Sequence, residues 1–471
     1  MMSLRSGLIL VTAALLLSLH EAAAKITFTH IVIIVQENRS TDNLFGSNPT
    51  FEPGVDIATY GINSKGAHIH LTAEPLASCY DIPHTHQAFV NMYAQGAMNG
   101  ADLNSPSSRA GCKVPASPQF KFADNSTGDL QPYFDLAEQY GFANRMFQTN
   151  QGPSFPAHQF LFGGTSAPTT NSRLFVAENT PMAINTGCIA DPTTLVAVIG
   201  PGGNENAYSP VHPCFNRPTM ADLLTAAHLT WHYYNNTGDG SIWNAPVAIR
   251  DMCVSKTQHG QRVCTGAQYT ANVTSNNNGG TPAQVLTDIA NCKMPNVAWV
   301  IPSAAASDHA GINDGTGPNW VASIVNAIGT QPACANGEVF WKDTAIVITW
   351  DDWGGWYDHA VPYHIGGWSN HDWGQGYIYG FRVPMLVVSA YTRPGFVDNT
   401  NYDFGSILAF AEQNFALGKI GPGYYADAEG TQGLKNFFPL ADPRDFHLIN
   451  TKHDAKYFLT RPASNVGPDD D

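Results

Sequence analysis

Charge is scarce in this chain: Asp, Glu, Lys and Arg make up 13% of its 471 residues, with 38 acidic against 23 basic side chains. No basic cluster stands out, which argues against nucleic acid as a partner, because holding a phosphate backbone takes concentrated Lys and Arg. The eight cysteines form no Cys-x-x-Cys pair, so zinc knuckles are disfavoured. Beyond the N-terminus no apolar run approaches the roughly 20 residues that a membrane-spanning helix needs. No internal repeat is apparent, so a solenoid is not indicated.

What is present begins with a targeting signal. Arg5 precedes the apolar stretch Leu8-Ile9-Leu10-Val11-Thr12-Ala13-Ala14-Leu15-Leu16-Leu17, and Ala22-Ala23-Ala24 supplies small residues for cleavage. Residues 1–24 therefore read as a secretory signal peptide, and the product as secreted or periplasmic. Residues 25–471 read as one catalytic domain of about 450 residues, ample for a large core. Export favours disulfides for Cys79, Cys112, Cys188, Cys214, Cys253, Cys264, Cys292 and Cys334, with a free, buried thiol as the alternative for some of them. Their pairing is open among many connectivities, although Cys253 and Cys264 are close enough to staple a hairpin-like insertion.

Four short apolar, largely β-branched runs read as buried strands: Ile31 to Val35, Ala298 to Pro302, Ala345 to Trp350 and Val383 to Ser389. Helical patterns lie between them, at Pro132 to Tyr140, Thr219 to Ala227 and Thr281 to Ala290. Strands interleaved with helices predict an α/β fold with a largely parallel sheet. Two stretches, near residues 164–218 and 238–280, are rich in Gly, Asn, Thr and Pro and hold four of the cysteines. They read as disulfide-pinned insertions over the site.

The polar residues that follow these strands carry the chemistry. Asp351 and Asp352 close one apolar run and precede Gly354-Gly355. Neighbouring side chains in a strand point to opposite faces, so both aspartates reach one ion only if the chain bends there, and the glycines make the bend cheap. Glu37 and Asn38 close another run in the same way. Three carboxylates and an amide oxygen at two strand ends suit a hard divalent cation. In Gly152-Pro153-Ser154-Phe155-Pro156 the flanking prolines stiffen the backbone, presenting Ser154 in a turn as a candidate nucleophile. His84, His309 and His359 each lie within three residues of an aspartate (Asp81, Asp308, Asp358), an arrangement that can hold an imidazole in one tautomer for proton transfer.

These segments occur together in a recognisable order. Glu37-Asn38-Arg39-Ser40, Asp81-x-x-His84, Gly152-Pro153-Ser154-x-Pro156, Ser307-Asp308-His309, Asp351-Asp352-Trp353-Gly354-Gly355-Trp356-Tyr357-Asp358-His359 and Arg382-Val383-Pro384-Met385 run in register over about residues 30–415. In this the chain resembles the bacterial phosphoesterase family of type C phospholipases and acid phosphatases. The resemblance implies an alkaline-phosphatase-like α/β/α sandwich and one divalent metal ion. Carried over by position, Glu37, Asn38, Asp351 and Asp352 become metal ligands, and Ser154 both touches the metal and acts as nucleophile. His309 becomes the proton donor to the leaving group, with His84 and Asp81 supporting the phosphate and His359 a further supporting candidate.

Departures accompany the match. The family often has Phe at the position of Thr41, Asp at that of Asn144, and Asn-Arg at those of Ala157 and His158, so the groups that would orient or neutralise phosphate differ here. The expected activity is phosphoric ester hydrolysis on phospholipid at a membrane surface or on small esters. The alternatives are an acid phosphomonoesterase without lipid activity and a weakly catalytic protein that captures a phosphorylated ligand. Trp353, Trp356, Tyr357, Trp368, Trp373 and Tyr377 are candidates for caging a choline cation. Sulfate ester hydrolysis is disfavoured, because no Cys-x-Pro-x-Arg motif is present.

Overall fold

The β-branched runs form the middle of an eight-stranded sheet. A computed structural model describes residues 26–181, 185–200, 203–274, 283–363, 378–428, 431–462 and 467–468. The expected signal peptide lies outside these residues, as do Trp368, Trp373, Tyr377 and the start of the helix expected from Thr281. In chain order the strands are β1 (His30–Gln36), β2 (Gly141–Ala143), β3 (Trp231–Asn235), β4 (Val273–Thr274), β5 (Val297–Ile301), β6 (Thr344–Trp350), β7 (Met385–Val388) and β8 (Phe396–Asp398). They lie in the order β4-β3-β5-β1-β6-β7-β2-β8. Every neighbouring pair is parallel except the two that β7 makes.

Every residue of β1, β5, β6 and β7 is buried, as expected for strands covered on both faces. Register shows how the covering works. Ile33 pairs with both Trp299 and Val347, while Gln36 pairs with Trp350, so Trp299 and Trp350 point to opposite faces. Trp299 Nε1 donates to the Leu161 carbonyl at 3.0 Å, in the helix Ser154–Gly163, which packs with Met220–Ala226 and Phe404–Phe415. Trp350 instead meets the Tyr133 ring at 5.1 Å, in the helix Gln131–Gln139, which packs with Gly317–Thr330 and, through it, Gln284–Ala290. The result is an α/β/α sandwich.

All eight cysteines are paired: Cys79–Cys112, Cys188–Cys214, Cys253–Cys264 and Cys292–Cys334. Two of these bonds each close within one of the long excursions. Cys253–Cys264 clamps the antiparallel hairpin Ser255–Gln258/Gln261–Cys264, as its spacing predicts.

A buried ionic clamp ties the segment after β1 to the segment after β6. Arg382, fully buried, donates to Asp358 Oδ1 at 3.0 Å and to Asp42 Oδ1 at 2.8 Å. His359 donates its backbone N–H to Asp42 Oδ2 at 2.8 Å, and its ring nitrogens meet Asp42 and Asp56 at 2.8 and 3.0 Å. The supporting role expected for His359 near the phosphate is therefore corrected: both of its nitrogens are committed to this clamp. Burial alone would depress the His359 pKa, but the hydrogen bond and charge of Asp42 outweigh it and lift it to about 9. A histidine raised in the folded state stabilises it fully below the unfolded value of about 6.5 and loses that contribution as pH rises through the folded value. The unfolding free-energy difference between wild type and His359→Gln should thus be largest below pH ~6.5, on the order of 2 kcal/mol, and fade by pH ~10. Urea unfolding at pH 6, 8 and 10 measures it, and a pH-independent difference would contradict a charged clamp.

Candidate active site

The site is assembled where β1 and β6 end side by side. The ladder runs one step past β6, with Asp351 N–H donating to the Gln36 carbonyl at 2.9 Å. This places Glu37-Asn38 next to Asp351-Asp352. The chain then leaves strand geometry at the expected glycines, Gly354 and Gly355, with φ 61° and 72°, and also at Asn38, with φ 61°. A Cβ on Gly354 would lie 2.2 Å from the Asn38 carbonyl oxygen, so only glycine lets the two turns pack together.

Hydrogen bonds orient each group. Asp351 Oδ1 accepts from the backbone N–H groups of Asn38 at 3.0 Å and Asp352 at 2.7 Å, leaving Oδ2 to face inward. Asp352 Oδ1 accepts from the Gly354 N–H at 2.7 Å. His84 has Nδ1 3.0 Å from the Ile82 carbonyl, which can only accept, so Nε2 accepts in turn from the Asn38 amide at 2.9 Å. That fixes the amide with its NH2 on His84 and Asp352.

Ser154 was expected in a stiff turn. It is instead the first residue of the helix Ser154–Gly163, with Pro153 as the cap and Pro156 in the first turn, where a missing N–H costs nothing. Its Oγ donates to Asp352 Oδ2 at 3.2 Å, and the helix N-terminus adds a partial positive charge beside it. One turn further on the same helix, His158 places Nε2 3.3 Å from Glu37 Oε1 and 3.7 Å from Asp351 Oδ2. In the sequence His158 stands out only as a departure from the family pattern, although the Ser154-x-x-x-His158 spacing puts both side chains on one helical face.

The cluster is dry and crowded with acceptors. Glu37, Asn38, Ser154, Asp351 and Asp352 are 0% exposed. Both carboxylate oxygens of Glu37, Asn38 Oδ1 and Asp351 Oδ2 are buried without a hydrogen-bond donor. Buried acceptors are ordinarily paired, and a set left unpaired and pointing at one spot fits a cation. Donor atoms of Glu37, His158 and Asp351 lie within 4.8 Å of one another. Burial, then the charge of Asp351, pushes the Glu37 and Asp352 carboxyls well above their usual range, and burial pushes the His158 imidazole down to about 4. A second group, Asp42, Asp358 and His359, has comparable spacing but is already neutralised by Arg382.

The remaining candidates are arranged around this core. Gln36 accepts from the Asp308 N–H at 3.0 Å and donates to the Ala306 carbonyl at 3.1 Å, pinning the loop that carries His309 to the end of β1. His309 Nδ1 donates to the Ala310 carbonyl at 2.6 Å, so Nε2 is its working nitrogen. The His84 and His309 rings are 5.7 Å apart. Asp81 lies in a short strand beside Gly311 of the His309 loop. Asp308 is set apart: Tyr133 and Trp350 donate to it at 2.8 and 3.0 Å, and Arg39 donates to its carbonyl at 2.8 Å. Trp353, Trp356 and Tyr357 are interior packing, with Trp356 against Arg39 at 5.0 Å, so these three do not form a choline cage. Asn144 clasps Gly54 and Asn399.

A serine hydroxyl and two imidazoles around a buried cage of oxygen acceptors mark the chain as a hydrolase of phosphoric esters. More narrowly, it belongs to the phosphoesterase family, whose model matches residues 28–418. Its relatives include a "Phospholipase C A" of Mycobacterium tuberculosis, 23% identical over 90% of this chain and 79% of that protein. Another is a "Non-hemolytic phospholipase C" of Pseudomonas aeruginosa, 22% identical over 82% of this chain and 54% of that one. Among solved structures, a protein of the alkaline phosphatase superfamily from Vibrio parahaemolyticus matches with a TM-score of 0.34 at 8% identity, covering 83% of this chain and 67% of the other.

Gly354→Ala tests how the cage is built. A side chain at positive φ costs about 1–2 kcal/mol, and the clash with the Asn38 carbonyl adds to it, so the variant should lose about 3 kcal/mol of stability. It should also weaken divalent metal binding, since the displaced residue is an expected ligand. Unchanged urea unfolding and metal titration would contradict the packed double turn.

Proposed function

We propose that the protein is an exported, metal-dependent phosphoric ester hydrolase of the phospholipase C and acid phosphatase type, in which Ser154 attacks phosphorus. The observation that carries this reading is the Ser154 hydroxyl on Asp352, at the edge of a donor-free cage formed by Glu37, Asn38 and Asp351. Four disulfides fit export. Among the described residues no helix is long and apolar enough to cross a membrane.

One divalent cation held by Glu37, Asn38, Asp351 and Asp352 would neutralise phosphate oxygens and lower the pKa of the serine hydroxyl. Asp352, whose Oδ2 lies 3.2 Å from the Ser154 Oγ, takes the hydroxyl proton from Ser154. The Ser154 oxygen forms its bond to phosphorus in line with the departing alcohol, whose P–O bond breaks. His309, protonated on Nε2, gives that proton to the alkoxide. Water then attacks the phosphorus of the phosphoserine while His309 takes a proton from it; the P–Oγ bond breaks, Asp352 returns its proton to the Ser154 oxygen, and the phosphate or phosphate monoester leaves. His84 holds the Asn38 amide in place. Relatives named phospholipase C support phospholipid as the substrate class, and small phosphate esters use the same machinery.

Ser154→Ala should reduce turnover to background while circular dichroism and metal content stay at wild-type levels, and near-normal activity would sink the nucleophile assignment. His309→Ala should cost more with alkyl phosphates than with nitrophenyl phosphate, whose leaving group needs little protonation; general acid help is worth about 10²–10⁴ in rate. Equal losses on the two substrates would make His309 structural. Comparing phosphatidylcholine, phosphorylcholine and nitrophenyl phosphate, with metal added back after chelation, separates diester from monoester preference.

A further inference from the structure

We propose that His158 is a nitrogen ligand of the same cation, so that the site is a mixed oxygen and nitrogen centre that prefers zinc or ferrous iron to magnesium or calcium. This rests on the metal reading above and goes beyond it, since the resemblance places an arginine here, and arginine offers no lone pair.

The tautomer decides the matter. Tyr233 Oη lies 2.7 Å from the Trp243 carbonyl, which can only accept, so the tyrosine proton is committed there. Its oxygen is left to accept, and it does so from the Ala245 N–H at 3.4 Å and from His158 Nδ1, 3.3 Å away, one on each lone pair. His158 therefore carries its proton on Nδ1 and aims the Nε2 lone pair at Glu37 Oε1 and Asp351 Oδ2, 3.3 and 3.7 Å distant. A lone pair facing two carboxylate oxygens in a dry pocket is repulsive unless positive charge lies between them. The spacing suits one ion, because two ligands about 2.1 Å from a tetrahedral centre are roughly 3.4 Å apart. Metal-bound histidines almost always donate their other N–H to an acceptor in this way, and Tyr233, Trp243 and His158 are all buried. Imidazole among the ligands shifts preference from hard cations toward zinc and iron.

The alternative for the same geometry is an imidazolium paired with the carboxylates, which needs no metal nitrogen. Calorimetric titration of the chelated, full-length protein with zinc and, separately, calcium distinguishes the two, together with X-ray absorption of the zinc-loaded form. The expected result is imidazole scattering at about 2.0 Å in wild type that disappears in His158→Ala. Zinc affinity should fall at least about 100-fold, and calcium affinity by less than about threefold, because only zinc gains from the nitrogen. Tyr233→Phe keeps the ligand but removes its orienting acceptor and should weaken zinc binding about 10–100-fold; this variant also carries the test if His158→Ala does not fold. An all-oxygen zinc shell, imidazole scattering that persists in His158→Ala, or wild-type zinc affinity in both variants would overturn the assignment and leave the serine mechanism standing. A wild-type protein that binds no divalent ion would overturn both.

Discussion

Glu37 and Asp351 are held side by side and out of water by the parallel pairing of β1 with β6, and the rest of the site follows from that juxtaposition. Two like charges about 4 Å apart cost on the order of 4 kcal/mol even at an effective dielectric of 20. Asp352 and the Asn38 carbonyl group add to the same negative concentration. Other buried carboxylates nearby have donors: Arg382 pairs with Asp42 and Asp358, and Tyr133 and Trp350 hydrogen-bond to Asp308. At the strand ends the acceptors are left facing each other. Such a conflict is a large fraction of the roughly 5–15 kcal/mol stability typical of folded proteins, and a cation or protons would relieve it.

The surrounding architecture serves to hold that conflict in place. Gln36, the last residue of β1, fastens the His309 loop; Gly354 lets the Asp351-Asp352 bend press against Asn38; His84 aligns the Asn38 amide. The Arg382 clamp locks the two following segments together, and the helix Ser154–Gly163 brings Ser154 and His158 up from one face of the sheet. Rigid elements thus set the proposed reacting groups, as the in-line displacement proposed for them would require.

Much of this is legible in the chain because the informative patterns are local. A β-branched run followed by polar residues and glycine marks a buried strand end, and two such ends carry Glu37-Asn38 and Asp351-Asp352. What escaped notice has physical reasons. Gly141–Ala143 and Phe396–Asp398 are too short to show a period, and Trp231–Asn235 mixes aromatic and polar residues on a sheet flank. The helix Ser154–Gly163 is buried at every position, so it has no polar stripe to reveal it, and its prolines read as a turn. The pairing of Cys79 with Cys112 and of Cys292 with Cys334 depends on chain paths that spacing does not encode. His158 was visible only as a difference from an expected arginine; its place beside Glu37 depends on the sheet register.

The most direct test of the account is the thermal unfolding of the chelated protein as a divalent cation is added back. The melting temperature is expected to climb and to saturate at one ion per chain, with Glu37→Gln abolishing the rise. A melting temperature indifferent to chelation and reloading would contradict the claim that this cage is built around a cation.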